Sequence, residues 1–181
     1  CVRASDGALV WRFKDLPGRL IGAFGQLEST WPIFGSVLIR DDRVYFAGGR
    51  SSFLDGGIFL YALDARTGRL EHSRQVYGPF EAETGLPATR NKGFKNDIFV
   101  TDGRRLYLRH KAFATDLTDA EGGPHVLPSA GFLDGTPQHR TYWTIPQRGG
   151  FTGKTSVRPP SGDILVVDGR NYYEVCGFPV H

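Results

Sequence analysis

The chain reads as all-β, and three observations lead there. Short apolar runs bounded by Gly, Asp and Pro dominate its 181 residues, and no window carries a capped helical periodicity. One hairpin pattern recurs three times, as "VLIRDDRVYF" (37–46), "IFVTDGRRLYL" (98–108) and "ILVVDGRNYYEV" (164–175). Finally, "VLI", "IFV" and "ILVV" are apolar at consecutive positions, the pattern of strands covered on both faces rather than wet on one. Without helices, other sheets must supply that cover. The reading is a partial β-propeller built of four-stranded antiparallel blades.

The elements follow in order. Residues 1–15 read as the tail of one blade, with Cys1 already in a strand. A complete blade is expected over 33–76, its strands near 36–40, 43–48, 58–63 and 69–75. Asp41–Asp42 turns its first hairpin, because a tight type I′ turn needs positive φ at both central residues and Asp tolerates that region. Asp102–Gly103 and Asp168–Gly169 are expected to turn the other two hairpins in the same way. A second blade with long loops covers 95–146, and a partial one covers 162–181. Tyr45, Tyr107 and Tyr173 recur at intervals of 62 and 66 residues, which marks an internal repeat. That spacing exceeds the roughly 40–45 residues of compact propeller repeats, and loops at 49–57, 77–96 and 110–138 take up the excess. A closed ring needs at least about four blades, so these stretches are expected to leave blade faces for further blades or another chain to cover.

Two segments carry a more specific signal. "ALDARTGRLEH" (62–72) resembles the tryptophan-docking motif of propellers that bind pyrroloquinoline quinone (PQQ), which reads Ala, any, Asp, two of any, Thr-Gly, three of any, Trp. Ala62, Asp64, Thr67 and Gly68 match, while His72 stands where Trp belongs. "CVRASDGALVW" matches in the complementary way: Gly7 and Trp11 are in register, with Cys1, Arg3 and Asp6 replacing Ala, Asp and Thr. Gly supplies the left-handed turn, Asp and Thr bond its backbone, and Trp brings an apolar plate with one N–H to satisfy. Trp11, Asp64, Thr67 and Gly68 are therefore read as structural docking residues, with direct ligand contact by Trp11 as the other reading.

The wider chain, including "GQLESTWPIFGSVLI" (25–39), "VYFAGGRSSFLDGGIFLYALD" (44–64) and "AGFLDGTPQHRTYW" (130–143), is similar to the PQQ-binding-like repeat domains of large bacterial secreted proteins. The resemblance implies the C-terminal portion of a seven- or eight-bladed propeller, in the periplasm or outside the cell. It also admits a quinoprotein oxidoreductase, with PQQ and calcium on the axis. The adjacent cysteines that such enzymes carry beside the quinone do not occur here, since Cys1 and Cys176 stand far apart.

Composition excludes several classes. The net charge is +3, with 22 basic and 19 acidic residues interspersed, so no basic stripe argues for nucleic acid. The densest basic stretch, "TRNKGFK" at 89–95, reads as a solvated loop rather than a phosphate contact. No apolar run approaches the ~20 residues of a membrane helix. The cysteines have no metal or redox spacing and are expected to be small buried hydrophobes, with a disulfide between them as the alternative. There is no methionine, initiator included, so the chain is expected to be a piece of a longer polypeptide. No G-x-S-x-G, HExxH or Gly-rich phosphate loop appears, and no catalytic or metal-ligating residue is assigned.

Three places are candidates for ligand or partner binding. Loop 48–57 combines flexible Gly with Arg50, Ser51 and Asp55. "FLDGTPQHRTYW" gathers Asp134, His139, Arg140, Tyr142 and Trp143, residue types that anchor recognition or stack on sugar rings. Glu28 and Trp31 line either a channel or a packed corner before Pro32. The expected function is a non-catalytic scaffold or recognition module for protein or glycan, with no cofactor. The rivals are the quinoprotein and an assembly subunit whose blade edges another chain completes.

Overall fold

The computed structural model describes residues 1–23, 25–33, 36–86, 93, 95–123, 125–128, 143–144, 161–162, 164–168 and 171–175. Among them there is no helix, and every named strand pairing is antiparallel. A short hairpin, β1 (Leu20–Ala23) and β2 (Gln26–Ser29), precedes the main sheets. The sequence reading assigned it no strands, although Gly25 at φ +78 marks its turn.

Sheet A is a meander of β3 (Leu38–Arg40), β4 (Arg43–Gly48), β5 (Ile58–Asp64) and β6 (Leu70–Val76), in that order. These strands lie within two residues of the expected ones. Arg40 pairs with Arg43 across a two-residue turn, with Asp41 at φ 49 and Asp42 at φ 58. Sheet B repeats the meander with β7 (Phe99–Thr101), β8 (Leu106–Leu108), β9 (Lys111–Phe113) and β10 (Asp119–Ala120). Farther on, β11 (Leu127–Pro128), β12 (Trp143–Thr144) and β13 (Ser161–Gly162) form a three-stranded sheet. β14 (Ile164–Asp168) and β15 (Asn171–Val175) form a hairpin.

Sheets A and B pack face to face through one core. Tyr45, Ala47, Ile58, Leu60 and Ala62 of sheet A meet Phe99, Leu106, Leu108, Phe113 and Leu117. Hydrogen bonds reinforce this contact. The Arg40 guanidinium donates to the Thr101 hydroxyl at 3.0 Å and to the Gly103 carbonyl. Tyr45 Oη donates to the Thr115 carbonyl at 3.1 Å, and Asn96 Nδ2 to the Ala47 carbonyl at 3.0 Å. The opposite face of sheet A buries Val44, Phe46, Tyr61 and Leu63 under Trp11, Phe13 and Leu16. β4 and β5 are therefore dry on both faces, whereas two of the three runs expected to be covered, "VLI" and "ILVV", expose Ile39 and Val166.

Four expectations need correction. β3 is an edge strand, and Ile39 is 67% exposed although its partner Val44 is buried, so the cover on that face ends at β4. The 102–103 corner is not a two-residue turn. Thr101 pairs with Leu106, leaving a four-residue loop in which only Gly103 has positive φ (+87). There Asp102 acts through its side chain: Oδ1 accepts from the backbone N–H of Arg104 (2.8 Å) and Arg105 (2.7 Å). In the third hairpin Asp168 is the last residue of β14 and pairs with Asn171, so it is a strand residue rather than the turn residue expected. Cys1 is exposed and outside any strand, because the segment around it forms only an isolated Val2–Leu9 bridge. Cys176 lies outside the described residues.

The repeated tyrosines also diverge. Tyr45 and Tyr107 are buried at 1% and 0% exposure, whereas Tyr173 is 57% exposed. Yet the three occupy one register position, each facing the residue seven before it: Leu38, Val100 and Val166.

Candidate functional site

The opening motif builds a joint. In the 64–68 turn, Asp64 Oδ1 accepts from the N–H of Arg66 (3.1 Å) and Thr67 (2.7 Å), and from the Thr67 hydroxyl (2.7 Å). Those bonds to Thr67, then to Arg66, hold the Asp64 carboxyl below its ordinary value. The Gly68 N–H closes the turn onto the Asp64 carbonyl at 2.8 Å, with φ +73. Trp11 lies on this turn. A Cβ at Gly68 would sit 2.5 Å from its ring, and the indole N–H donates to the Ala65 carbonyl at 3.1 Å. Trp11 from the first motif thus seats on the Gly68 turn of the second, where any side chain would displace it.

Of the sequence-nominated binding residues, Glu28, Trp31, Arg50, Ser51 and Asp55 come together beside loop 49–57. Two glycines allow that loop its path. A Cβ at Gly57 (φ +95) would lie 2.2 Å from the Val76 carbonyl oxygen, and one at Gly49 (φ +126) 2.7 Å from that of Gly57. Arg50 Nη2 donates to Glu28 Oε2 at 2.9 Å and to the Ser29 carbonyl at 3.3 Å. The Arg50 bond, assisted by Gln26, lowers the Glu28 carboxyl. Arg19 pairs with Asp55 and lies over the Trp31 ring at 5.3 Å. The Trp31 indole donates to the Asp55 carbonyl at 3.0 Å, and Trp31 is buried. Ser51 Oγ accepts from the Phe53 N–H at 3.3 Å, and residue 51 bridges Lys95. Each carboxylate here has its own guanidinium, and the Trp faces inward. The geometry is that of a packed corner tying the β1–β2 hairpin to sheet A.

Asp134, His139, Arg140 and Tyr142 lie outside the described residues. Trp143 is described only as part of the β12 backbone.

A groove of about 620 Å³ opens where β6 faces β9 and β10. One wall carries Arg74, Gln75, Val76, Tyr77 and Pro79, and the other His110, Lys111, Asp119 and Gly122. Asp119 stands between two cations, with Oδ2 2.6 Å from Arg74 and Oδ1 3.2 Å from Lys111. The Arg74 bond, then that of Lys111, overcomes burial and lowers its carboxyl. Partial burial, then the charges of Arg109, Lys111 and His125, lowers His110 below its ordinary value. Tyr77 is 55% exposed, and Phe80 meets its ring edge-on at 4.7 Å.

Sequence reasoning missed this groove because its residues come from three strands and three connecting segments of different sheets. The one local sign was the basic run Arg109–His110–Lys111 at a tight turn. Chemically, the groove can bind: it offers an aromatic plate, cationic donors and a carboxylate acceptor. Among the described residues, no three His, Cys, Asp or Glu side chains converge as a metal site. Calcium beside a quinone takes several oxygen ligands, and these residues gather no set of three carboxylates for it. No helix among the described residues is long and apolar enough to cross a membrane. Comparison with family models, with curated proteins and with solved structures gives no match.

Proposed function

We propose that this chain is a portion of a PQQ-binding-like β-propeller, working in the periplasm or outside the cell as a recognition module for protein or glycan. The groove beside β6 is its binding surface. Two successive four-stranded meanders in the same order, stacked through one core, support the propeller part of the reading. The seating of Trp11 on the Gly68 turn supports the likeness to docking motifs. One observation carries the recognition part: the groove keeps an exposed tyrosine and incompletely neutralised charge, whereas in the Glu28–Asp55 corner each carboxylate has its own guanidinium.

A second reading, the assembly subunit, draws on exposed apolar side chains at Val2, Leu9, Val10, Leu20 and Leu27, all ahead of sheet A. Peptide and glycan arrays probed with the protein and with Lys111→Glu test the main reading. Ligands captured by the native chain and lost by the variant are expected. Capture indifferent to Lys111 overturns the groove assignment. A bound quinone spectrum with dye reduction, on adding PQQ and calcium, replaces recognition with catalysis.

A further inference from the structure

We propose that the groove beside β6 takes a saccharide bearing a carboxylate. The inference rests on the reading of that groove as the recognition surface, and charge is its first support. Two permanent cations, Arg74 and Lys111, face one anion, Asp119, so one positive charge is left unmatched. A ligand with a single carboxylate balances it.

The donor count is the second support. Arg74 is occupied, donating to the Leu117 carbonyl at 2.8 Å and to Asp119 at 2.6 Å while lying over Phe113. Lys111 has three N–H groups and gives one direction to Asp119, which leaves donors for the groove. The Asp119 carboxylate has about four acceptor positions, of which these two cations take two. Lys111 and Asp119 thus set donors and acceptors side by side. Sugar hydroxyls use both at once. An acidic peptide would use the donors and bring its carboxylates against Asp119.

Shape is the third. Tyr77 presents an exposed ring braced by Phe80, a rigid amphipathic plate for the C–H face of a sugar. The aliphatic lining, Val76, Pro79, Ala112 and Ala120, is made of short side chains and offers little to a large peptide anchor.

The test is titration of ¹⁵N-labelled protein with an oligosaccharide carrying a single galacturonate, its neutral methyl ester, and a short oligoglutamate. The acid sugar is expected to shift the amides of Tyr77, Lys111 and Gly122, with binding weakened by salt. The ester is expected to bind about tenfold more weakly, as is the acid sugar to Lys111→Gln, each having lost a charge-assisted hydrogen bond. Equal binding of acid and ester, or shifts away from the groove, overturns the proposal without relying on a variant. So does a groove response to oligoglutamate alone. If array ligands still depend on Lys111 while both sugars leave the groove unshifted, the ligand class is wrong and the recognition reading stands. If no array ligand depends on Lys111, the reading itself fails.

Discussion

Sheets A and B have the same strand order and share one core, yet they hold their shape differently. The two inner strands of sheet A run six and seven residues. They are dry on both faces, with Trp11, Phe13 and Leu16 outside and sheet B inside. The strands of sheet B run only two or three residues. Polar corners compensate. Asp97 Oδ2 accepts from Arg109 Nε at 3.0 Å, and Asp116 Oδ1 accepts from the Thr118 hydroxyl at 2.6 Å. Tyr107 Oη donates to Asp102 Oδ2 at 2.7 Å, and its ring stacks on His125 with centroids 3.8 Å apart. A repeat can therefore keep its topology while shifting its support from ladder length to side-chain-to-corner bonds.

The strongest way to break this comparison is through the shared core. Leu60 and Leu108 are both fully buried there, one from each sheet. Leu60→Ala and Leu108→Ala should each cost about 2–5 kcal/mol. If the sheets form one cooperative unit, each variant moves a single transition in urea, by tryptophan fluorescence and circular dichroism alike. Trp11 and Trp31 both report on sheet A. A Leu108→Ala transition seen only by circular dichroism would mean that sheet B melts alone.

A smaller effect tests the corners. For Asp102, burial works to raise the carboxyl, but the Tyr107 hydroxyl and the Arg105 and Arg104 N–H groups outweigh it and lower it to about 2. Its stabilisation is therefore whole above the unfolded value, about 3.9, and is lost as pH falls through about 2. Asp102→Ala should cost about 1–2 kcal/mol at neutral pH and flatten the acid limb of a stability–pH curve in that window. An unchanged acid limb would remove the polar corner as the support of sheet B. Buried Asp97 runs the other way: burial raises its carboxyl despite the Ile98 N–H and Arg109. Its contribution grows as pH falls and is lost as pH rises through that raised value.

The smallest effect sharpens the contrast between the two turns. Asp42 holds φ 58 by backbone shape, and Gly relieves that strain while adding chain entropy. Asp42→Gly should change stability by no more than about 0.5 kcal/mol, in the stabilising direction. Thermal melts of Asp42→Gly beside Asp102→Ala should thus move in opposite directions.

How much was legible depends on the range of the interaction involved. The strands of sheet A could be read to within two residues, because long apolar runs between turn residues declare themselves locally. The Asp102 corner could not, since "DG" suits a tight turn and a side-chain-bonded loop equally, and pairing of Thr101 with Leu106 decides between them. Loop 48–57 and the Glu28–Trp31 pair were read as separate places, and their meeting in one corner could not be read from either stretch. Arg19, which neutralises Asp55, carries no mark in its own neighbourhood. The groove was missed for the same cause, its walls lying tens of residues apart in the chain.

The sequence determined on its own that the chain would be strands, where sheet A would turn, and that Gly68 would take a left-handed turn. Backbone sterics and apolar pattern act between near neighbours, so they can be read from residue types. Which face Trp11 covers, and that Arg74 and Lys111 meet across Asp119, were settled by packing. Those contacts join segments far apart in the chain, and no local preference encodes the docking of one sheet on the next.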